Sequence, residues 1–404
     1  MSRTIERDVI VVGAGPGGSA AAGYLAKQGV DVLMLDKETF PRDKPCGEGQ
    51  TPEAYLHYKL LGCFDEYMSI AHPLRGLIFW DPEGNSYKME EEESSGGVCP
   101  RRSLDNLMRQ NSEKLGADVI EDCWVYDVIK EGDQVVGVKA KYQGEYIEIR
   151  GKIVIGADGS HSMVAKKTNN FFDGDGDEMT ISVVARCHYT GVKDITDLSE
   201  LFFDKDILPG YVWIFPYEKY EKGFCNVGIG FQRGQYETAK IGDIFDMWLK
   251  KPEIARRFKD AKQVGPLQGW RIPQDQLQNH TYGNGVMLIG DAAAQNTPSS
   301  GEGISLAMNA GCYASIAAME ALKKKDYSIT TLKIYDDLIQ KWHTPYYKQM
   351  RSLLNGMANI EGSQQTFKML ASNKEASDKM MYLFGGGSTA NGVREYFGLP
   401  KKEI

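Results

Sequence analysis

The order of apolar and polar positions divides the chain into stretches of different rhythm. Val9–Val12 and Val30–Leu35 are unbroken apolar runs, the mark of strands buried on both faces, with an alanine-rich segment between them. That order predicts a strand, a helix and a second strand within Arg7–Glu38. Glu53–Leu61 and Phe64–Met68 have helical spacing, whereas Leu77–Trp80 and Ser86–Met89 alternate around Asp81-Pro82-Glu83-Gly84-Asn85 and predict a hairpin. The acidic run Glu90–Glu93 reads as a solvated loop. Arg101–Leu115 predicts a helix with Ser103 as its N-cap. A meander follows over Asp118–Val125, Val135–Tyr142 and Tyr146–Arg150, and then the apolar run Lys152–Ile155.

From Met179 the alternation of strand and helix stops. Thr180–His188, Leu201–Phe203, Tyr211–Phe215 and Phe224–Phe231 predict strands, followed by helices over Ile241–Lys250 and from Pro252 to Lys259. Val286–Ile289 restores the buried-strand pattern and leads through a loop into a helix over Ile304–Lys323, and Tyr335–Arg351 predicts one more amphipathic helix. Residues 352–404 read as helix-poor in parts, with a break at Gly385-Gly386-Gly387-Ser388. The fold class is therefore α/β. A Rossmann-like domain is expected from 1–72, 100–168 and 276–345, an inserted antiparallel-sheet (α+β) domain from 73–99 and 169–275, and a C-terminal helical segment from 346–404.

Composition narrows the classes. A chain of 404 residues predicts two or three domains, and 42% hydrophobic with 25% charged residues is ordinary for a folded protein. A net charge of −8 argues against nucleic acid as a partner. Cys46, Cys63, Cys99, Cys123, Cys187, Cys225 and Cys312 are scattered without CxxC spacing and read as reduced thiols of a cytoplasmic protein. The histidines are equally dispersed, so no metal site is expected. Met1–Asp8 is polar and is not a signal peptide. No run approaches the about 20 apolar residues that span a bilayer, which leaves a soluble chain or one peripheral on the membrane.

The turn after the first strand carries the first chemistry. Gly13-Ala14-Gly15-Pro16-Gly17-Gly18 is a GxGxxG motif between strand and helix, and Asp36 ends the second strand 18 residues after Gly18. Gly13 allows the tight turn, Gly15 removes a side chain that would block a pyrophosphate, and Gly18 lets helix and strand pack closely. The N–H groups and dipole at the helix start attract a diphosphate, and Asp36 can accept from a ribose hydroxyl. The reading is a dinucleotide site.

Two further motifs make the resemblance specific. Gly156-Ala157-Asp158-Gly159-Ser160-His161-Ser162 in the middle and LIGDAAAQNTPSSGEGI late in the chain, with the GxGxxG, resemble the signatures of FAD-dependent oxidoreductases of the para-hydroxybenzoate hydroxylase type. CGEG at Cys46–Gly49, PGYVWIFP at 209–216, NVGIG and GEGISLAMNAG are similar to the geranylgeranyl reductase family, with its archaeal lipid reductases and chlorophyll-side-chain reductases. The resemblance runs over about 7–345, and the acidic CGEG variant is closer to the archaeal lipid reductases.

The resemblance implies FAD as cofactor and reduction of C=C bonds in a polyprenyl group of an isoprenoid lipid. Asp36 matches the ribose acid, Arg101 an arginine that meets the cofactor, and Val125 a strand-end position that contacts adenine through its backbone. Asp158 sits near the pyrophosphate in the family, or is a turn residue capping a helix. Asp291 can bond the ribityl hydroxyls, and Gly301 and Gly303 leave bare amides before Ile304 that can face flavin N1–C2=O. Cys46, Gly47 and Gly49 match the loop beside the isoalloxazine ring. Cys46 there places substrate or donates a proton, or is a buried packing thiol. Tyr211, Trp213 and Phe215 alternate at period two, which puts three rings on one strand face, an apolar pocket rather than plain sheet core.

Rival readings are a flavin monooxygenase or halogenase of the same fold and a non-catalytic flavin sensor or lipid carrier. Halogenases carry WxWxIP where this chain has Tyr211 in place of the first tryptophan. The electron donor, NAD(P)H, ferredoxin or another reductant, is not legible in the sequence.

Overall fold

The computed structural model describes residues 4–90, 94–168, 181–232, 240–274 and 281–403. Of the loop expected over Glu90–Glu93, residues 91–93 lie outside the described residues and Glu90 ends a strand, and the first residue of the strand expected over Thr180–His188 also lies outside them.

Thr4–Val12 lies inside an eight-stranded sheet, paired in parallel with Val32–Leu35 on one side and Glu145–Gly156 on the other. Asp118–Ile120 forms one edge, and Val286–Leu288 with the antiparallel Tyr282–Gly283 forms the other. Strands from three distant parts of the chain thus share one sheet. Gln134–Tyr142 and Cys123–Glu131 extend it as an antiparallel meander. Val9, Val11 and Met34 face one core, Ile10, Val12, Leu33 and Leu35 the other. Burial on both faces is the reason these strands read as continuous apolar runs.

The helices Pro16–Lys27 and Ile304–Lys324 cross on the first face at glycine contacts. A methyl group on Gly311 would lie 2.5 Å from the Gly17 carbonyl oxygen, so neither helix tolerates a side chain there.

A second sheet has seven strands in the order Lys262–Pro273, Ile181–Thr190, Cys225–Gln232, Tyr211–Pro216, Ser199–Phe202, Gly76–Trp80 and Ser86–Glu90. Only the pairing of Ser199–Phe202 with Gly76–Trp80 is parallel among them. Val212, Ile214, Val227 and Ile229 pack against the helices Ile241–Leu249 and Pro252–Phe258. The opposite face, with Phe79, Leu201 and Trp213, packs against the C-terminal helices through Met357, Phe367, Leu370 and Met380. A small sheet of Gly49–Gln50, Gly96–Val98 and His72–Leu74 accompanies the two. Among the described residues no helix is long and apolar enough to cross a membrane.

Several expectations are corrected. Residues 344–396 are rich in helix: Thr344–Gly356, Ile360–Ser372, Lys374–Phe384 and Asn391–Tyr396. Asn359 and Asn373 start two of them by accepting from the amides of Gly362 and Ala376. The single helix expected over Tyr335–Arg351 is two, Ile329–Trp342 and Thr344–Gly356, because Pro345 opens a new first turn beside His343. The helix at 101 starts at Arg101 behind Pro100, so Ser103 lies inside it and is not the cap. Lys262–Pro273, too polar to suggest a strand, is the exposed edge of the second sheet. The strand expected over Asp118–Val125 is split by Asp122, whose φ is +52°, so Val125 belongs to the start of Cys123–Glu131 and not to a strand end.

Candidate active site

Gly13, Gly15, Gly17, Gly18, Asp36, Cys46, Gly47, Gly49, Arg101, Val125, Asp158, Tyr211, Trp213, Phe215, Asp291, Gly301, Gly303 and Ile304 all line one cavity of about 1390 Å³. The residues singled out in the sequence, far apart along the chain, are therefore neighbours in space.

At one end the wall is backbone. Gly13 has φ +105°, and a methyl group there would strike the Ala157 carbonyl oxygen at 2.3 Å. On Gly18 it would meet the Gly13 carbonyl oxygen at 1.9 Å, and on Gly17 the Ala307 carbonyl oxygen at 3.0 Å. These three glycines are needed for packing. Gly15 differs: the atoms nearest to its missing side chain are the guanidinium nitrogens of Arg42 at 3.9 Å and Arg101 at 4.0 Å. Open backbone at a helix start, flanked by two cations, fits a diphosphate.

The acids around this end are tied down. Asp36, buried, accepts from the Ala14 amide at 2.7 Å and the Glu38 amide at 2.9 Å. Burial raises its pKa against the pull of those amides and of Arg42. Arg101 holds Asp105 through two bonds of 2.7 Å, and Arg42 reaches the same carboxylate at 2.5 Å. Burial would raise the Asp105 pKa, but the two guanidinium groups hold it below the usual carboxylate range. Asp158 accepts from the Ser162 hydroxyl at 2.5 Å and from the amides of Met163 and Val164 at 2.6 and 3.1 Å. These bonds tie Asp158 to the start of the helix Met163–Lys167, whose N-cap residue is Ser162, while Asp158 also lines the cavity. Asp291 pairs with Lys44 at 2.9 Å and accepts from Asn296 at 3.1 Å. Burial alone would raise its pKa, but Lys44, Asn296 and Arg101 keep it below the usual range.

Toward the other end the wall becomes aromatic. The Tyr211, Trp213 and Phe215 rings follow one another at 6.1 and 6.2 Å between centroids along their strand. Each is fixed by a separate partner. The Tyr211 hydroxyl donates to the Ser300 carbonyl at 2.5 Å, and Trp213 Nε1 donates to Asn226 Oδ1 at 2.8 Å. Phe215 lies over Gly47 and Gly49, where added methyl groups would meet its ring at 3.1 and 3.0 Å. Half-buried Cys46 sits on this loop with its Sγ accepting from the Glu48 amide at 3.3 Å and the Arg101 guanidinium alongside. Beyond the rings the cavity continues between Leu77, Met89, Leu201, Leu370, Met381 and Phe384.

Sequence reasoning missed several members of the site. Asn226 joins its two halves, since Nδ2 donates to the Cys46 carbonyl at 2.8 Å and to Glu48 Oε2 at 3.0 Å while Oδ1 holds Trp213. Glu48, buried with φ +67°, also bonds His188 at 2.8 Å. Asn226 opens the NVGIG motif and Glu48 is the acid of CGEG, so both were visible as motif letters without a role. Arg42 and Lys44 carried no signal beyond charge in a proline-rich loop. The C-terminal wall carried none.

A glycine-lined, cationic cradle that opens into an apolar chamber is the layout of an oxidoreductase that holds a dinucleotide against a second molecule. The comparisons give that class its cofactor, because residues 6–328 match the FAD binding domain family. The digeranylgeranylglycerophospholipid reductase 2 of Methanococcoides burtonii is 34% identical over 86% of this chain and 82% of that protein. The digeranylgeranylglycerophospholipid reductase of Methanosarcina acetivorans is 34% identical over 81% and 78%. The chain belongs to this family of FAD-dependent oxidoreductases, among relatives named as geranylgeranyl lipid reductases. Two solved structures share the fold. A geranylgeranyl bacteriochlorophyll reductase-like protein from Thermoplasma acidophilum has a TM-score of 0.78 at 24% identity, covering 94% of this chain and 100% of its own. A flavin-dependent brominase has a TM-score of 0.80 at 22% identity, covering 97% and 99%.

Proposed function

We propose that the protein saturates C=C bonds of a geranylgeranyl or related polyprenyl group on an isoprenoid lipid. The observation that carries this reading is the row Tyr211, Trp213 and Phe215, held on the same cavity as the open backbone at Gly15 and continued by an apolar passage. An apolar chain gains about 0.8 kcal/mol per methylene buried in such a passage. The cradle at Gly15, Arg42 and Arg101 is read as the diphosphate site, with Asp36 at the ribose and the Gly301–Ile304 loop at the ring.

FAD, when bound and reduced, supplies the hydride. The rest falls to the chain. An isolated alkene has no carbonyl to hold negative charge, so a proton must arrive with or ahead of the hydride, and carbocation character develops. A row of aromatic faces stabilises such a cation, and Asn226 holds the Trp213 indole in that row. Burial pushes the Tyr211 phenol up, which makes it a poor acid. Cys46 is assigned to placing the substrate, since a thiol is also a weak acid for an alkene. The reductant, whether NAD(P)H, ferredoxin or another donor, feeds the flavin from outside, and contact with a membrane surface brings the lipid within reach.

Single-turnover oxidation of dithionite-reduced protein by a geranylgeranyl lipid under nitrogen tests the reading in the native chain, Cys46→Ser and Trp213→Ala. Loss of lipid reduction in the variants with FAD still bound supports the aromatic face as the reacting site. Unchanged rates in both variants remove it.

A further inference from the structure

Glu302 stands between Gly301 and Gly303 at the head of the helix Ile304–Lys324. Its backbone is pinned on both sides: its amide donates to Thr297 Oγ1 and its carbonyl accepts from the Thr297 amide, each at 2.9 Å. The side chain folds back over the helix start, where Oε1 accepts from the Ser305 amide at 2.8 Å. Oε2 is buried without a hydrogen-bond partner among the described residues, and the same holds for the nearby Ser305 hydroxyl oxygen. A carboxylate so placed leaves a charged oxygen without solvent or donor, whereas a carboxylic acid does not.

The groups that face Glu302 do not relieve this. They are Glu53, from the helix Pro52–Leu61, and Tyr346, from the helix Thr344–Gly356. Arg394 at 2.6 Å and Lys402 at 3.3 Å are already engaged with Glu53. Burial pushes the Glu302 carboxyl up to about 7 against the pull of the Ser305 amide, and Glu53 adds to the rise.

We propose that Glu302 is a redox-linked proton site, taking up a proton from solvent when FAD bound at the Gly301–Ile304 loop accepts two electrons. The helix-start amides can hold the negative charge that a flavin gains at N1–C2=O on reduction. A carboxylate drawing on the same amides opposes that charge, so reduction favours the acid form of Glu302. The balance is two electrons and one proton to the flavin and one proton to Glu302, with the electrons from an outside reductant, dithionite in the test. The inference rests on FAD lying at this loop and does not depend on the substrate.

The experiment is a spectroelectrochemical titration of the FAD-loaded full chain and its Glu302→Gln variant between about pH 6 and about pH 9. The two potentials should nearly coincide at the acid end. Above about pH 7 the native potential should fall below that of the variant, with up to about one more proton taken up per two electrons. Parallel curves across the range overturn the proposal. If the variant loses its flavin, the native protein decides alone. Its reduction-difference infrared spectrum at about pH 8 must then gain a protonated-carboxyl band, and absence of that band overturns the proposal. No prenyl lipid enters either measurement, so their failure is separate from failure of the function proposed above.

Discussion

The two ends of the cavity are built by different means. At the glycine end the wall is largely main chain at the turn of the first βαβ unit, closed by distant segments, and its charges are buried and matched, as Arg101 and Arg42 are by Asp105. At the aromatic end the wall is side chain, drawn from the second sheet and from C-terminal helices far along the sequence, and its nearby ion pair Lys374–Asp378 is exposed. A phosphate needs fixed donors and tolerates no intruding side chain, so the first end is rigid in both backbone and residue type. An apolar chain needs volume and contact, which many side-chain sets provide. The first end is therefore specified by motif and the second by packing.

The sharpest way to break this contrast is to remove a charge at each end. Asp105→Ala strands two guanidinium groups, Arg101 nearly fully buried, and should cost about 3–5 kcal/mol, read as a lower urea midpoint. Asp378→Ala should change stability by less than about 1 kcal/mol, because its pair is solvent-exposed. Equal losses would contradict the comparison.

The buried layer beneath the glycine end also predicts a pH dependence. His57 is enclosed between the Tyr24 hydroxyl at 2.8 Å and Asn309 Oδ1 at 2.7 Å, and burial lowers its pKa from 6.5 to about 4. The unfolded chain takes the proton near 6.5 and the folded chain only near 4, so stability falls as pH drops through that window. The loss should approach about 3 kcal/mol at the acid end, and His57→Gln should flatten the curve between those pH values in denaturant titrations.

Gly15→Val tests the cradle itself. Because the nearest atoms beyond its own turn are the ends of the flexible Arg42 and Arg101 side chains, at 3.9 and 4.0 Å from the added carbon, the chain should fold, while the diphosphate meets an intruding side chain. FAD affinity should drop by about 2–3 kcal/mol, roughly a hundredfold, in a fluorescence titration of the apoprotein. Leu370→Trp makes the matching change at the far end. It should leave FAD affinity alone and raise KM for a long prenyl lipid about tenfold, measured in steady-state turnover.

How much of this was legible follows the same division. GxGxxG, GADGSHS and the run through Asp291 named the glycine end because each letter there answers a backbone requirement, such as the positive φ of Gly13. Tyr211, Trp213 and Phe215 were legible as one face because strand periodicity is fixed. Asn226, which ties that face to Cys46, was not, because its partners lie 13 and 180 residues away and no local rule pairs them. The wall formed by Leu370, Met381 and Phe384 was hidden for a related reason. Those helices take their stability from packing on Phe79 and Trp213, and local spacing alone did not show it. The caps at Asn359 and Asn373 are legible locally, because asparagine is a favoured residue at a helix start.

The most direct measurement is the mass of the lipid product. The FAD-loaded protein, reduced by dithionite and incubated under nitrogen with a geranylgeranyl glycerophospholipid, should add the mass of two hydrogens for each bond saturated. It should need no oxygen. A lipid recovered unchanged under nitrogen, with an oxygen or halogen atom incorporated into an organic substrate once air and halide are admitted, would contradict the account.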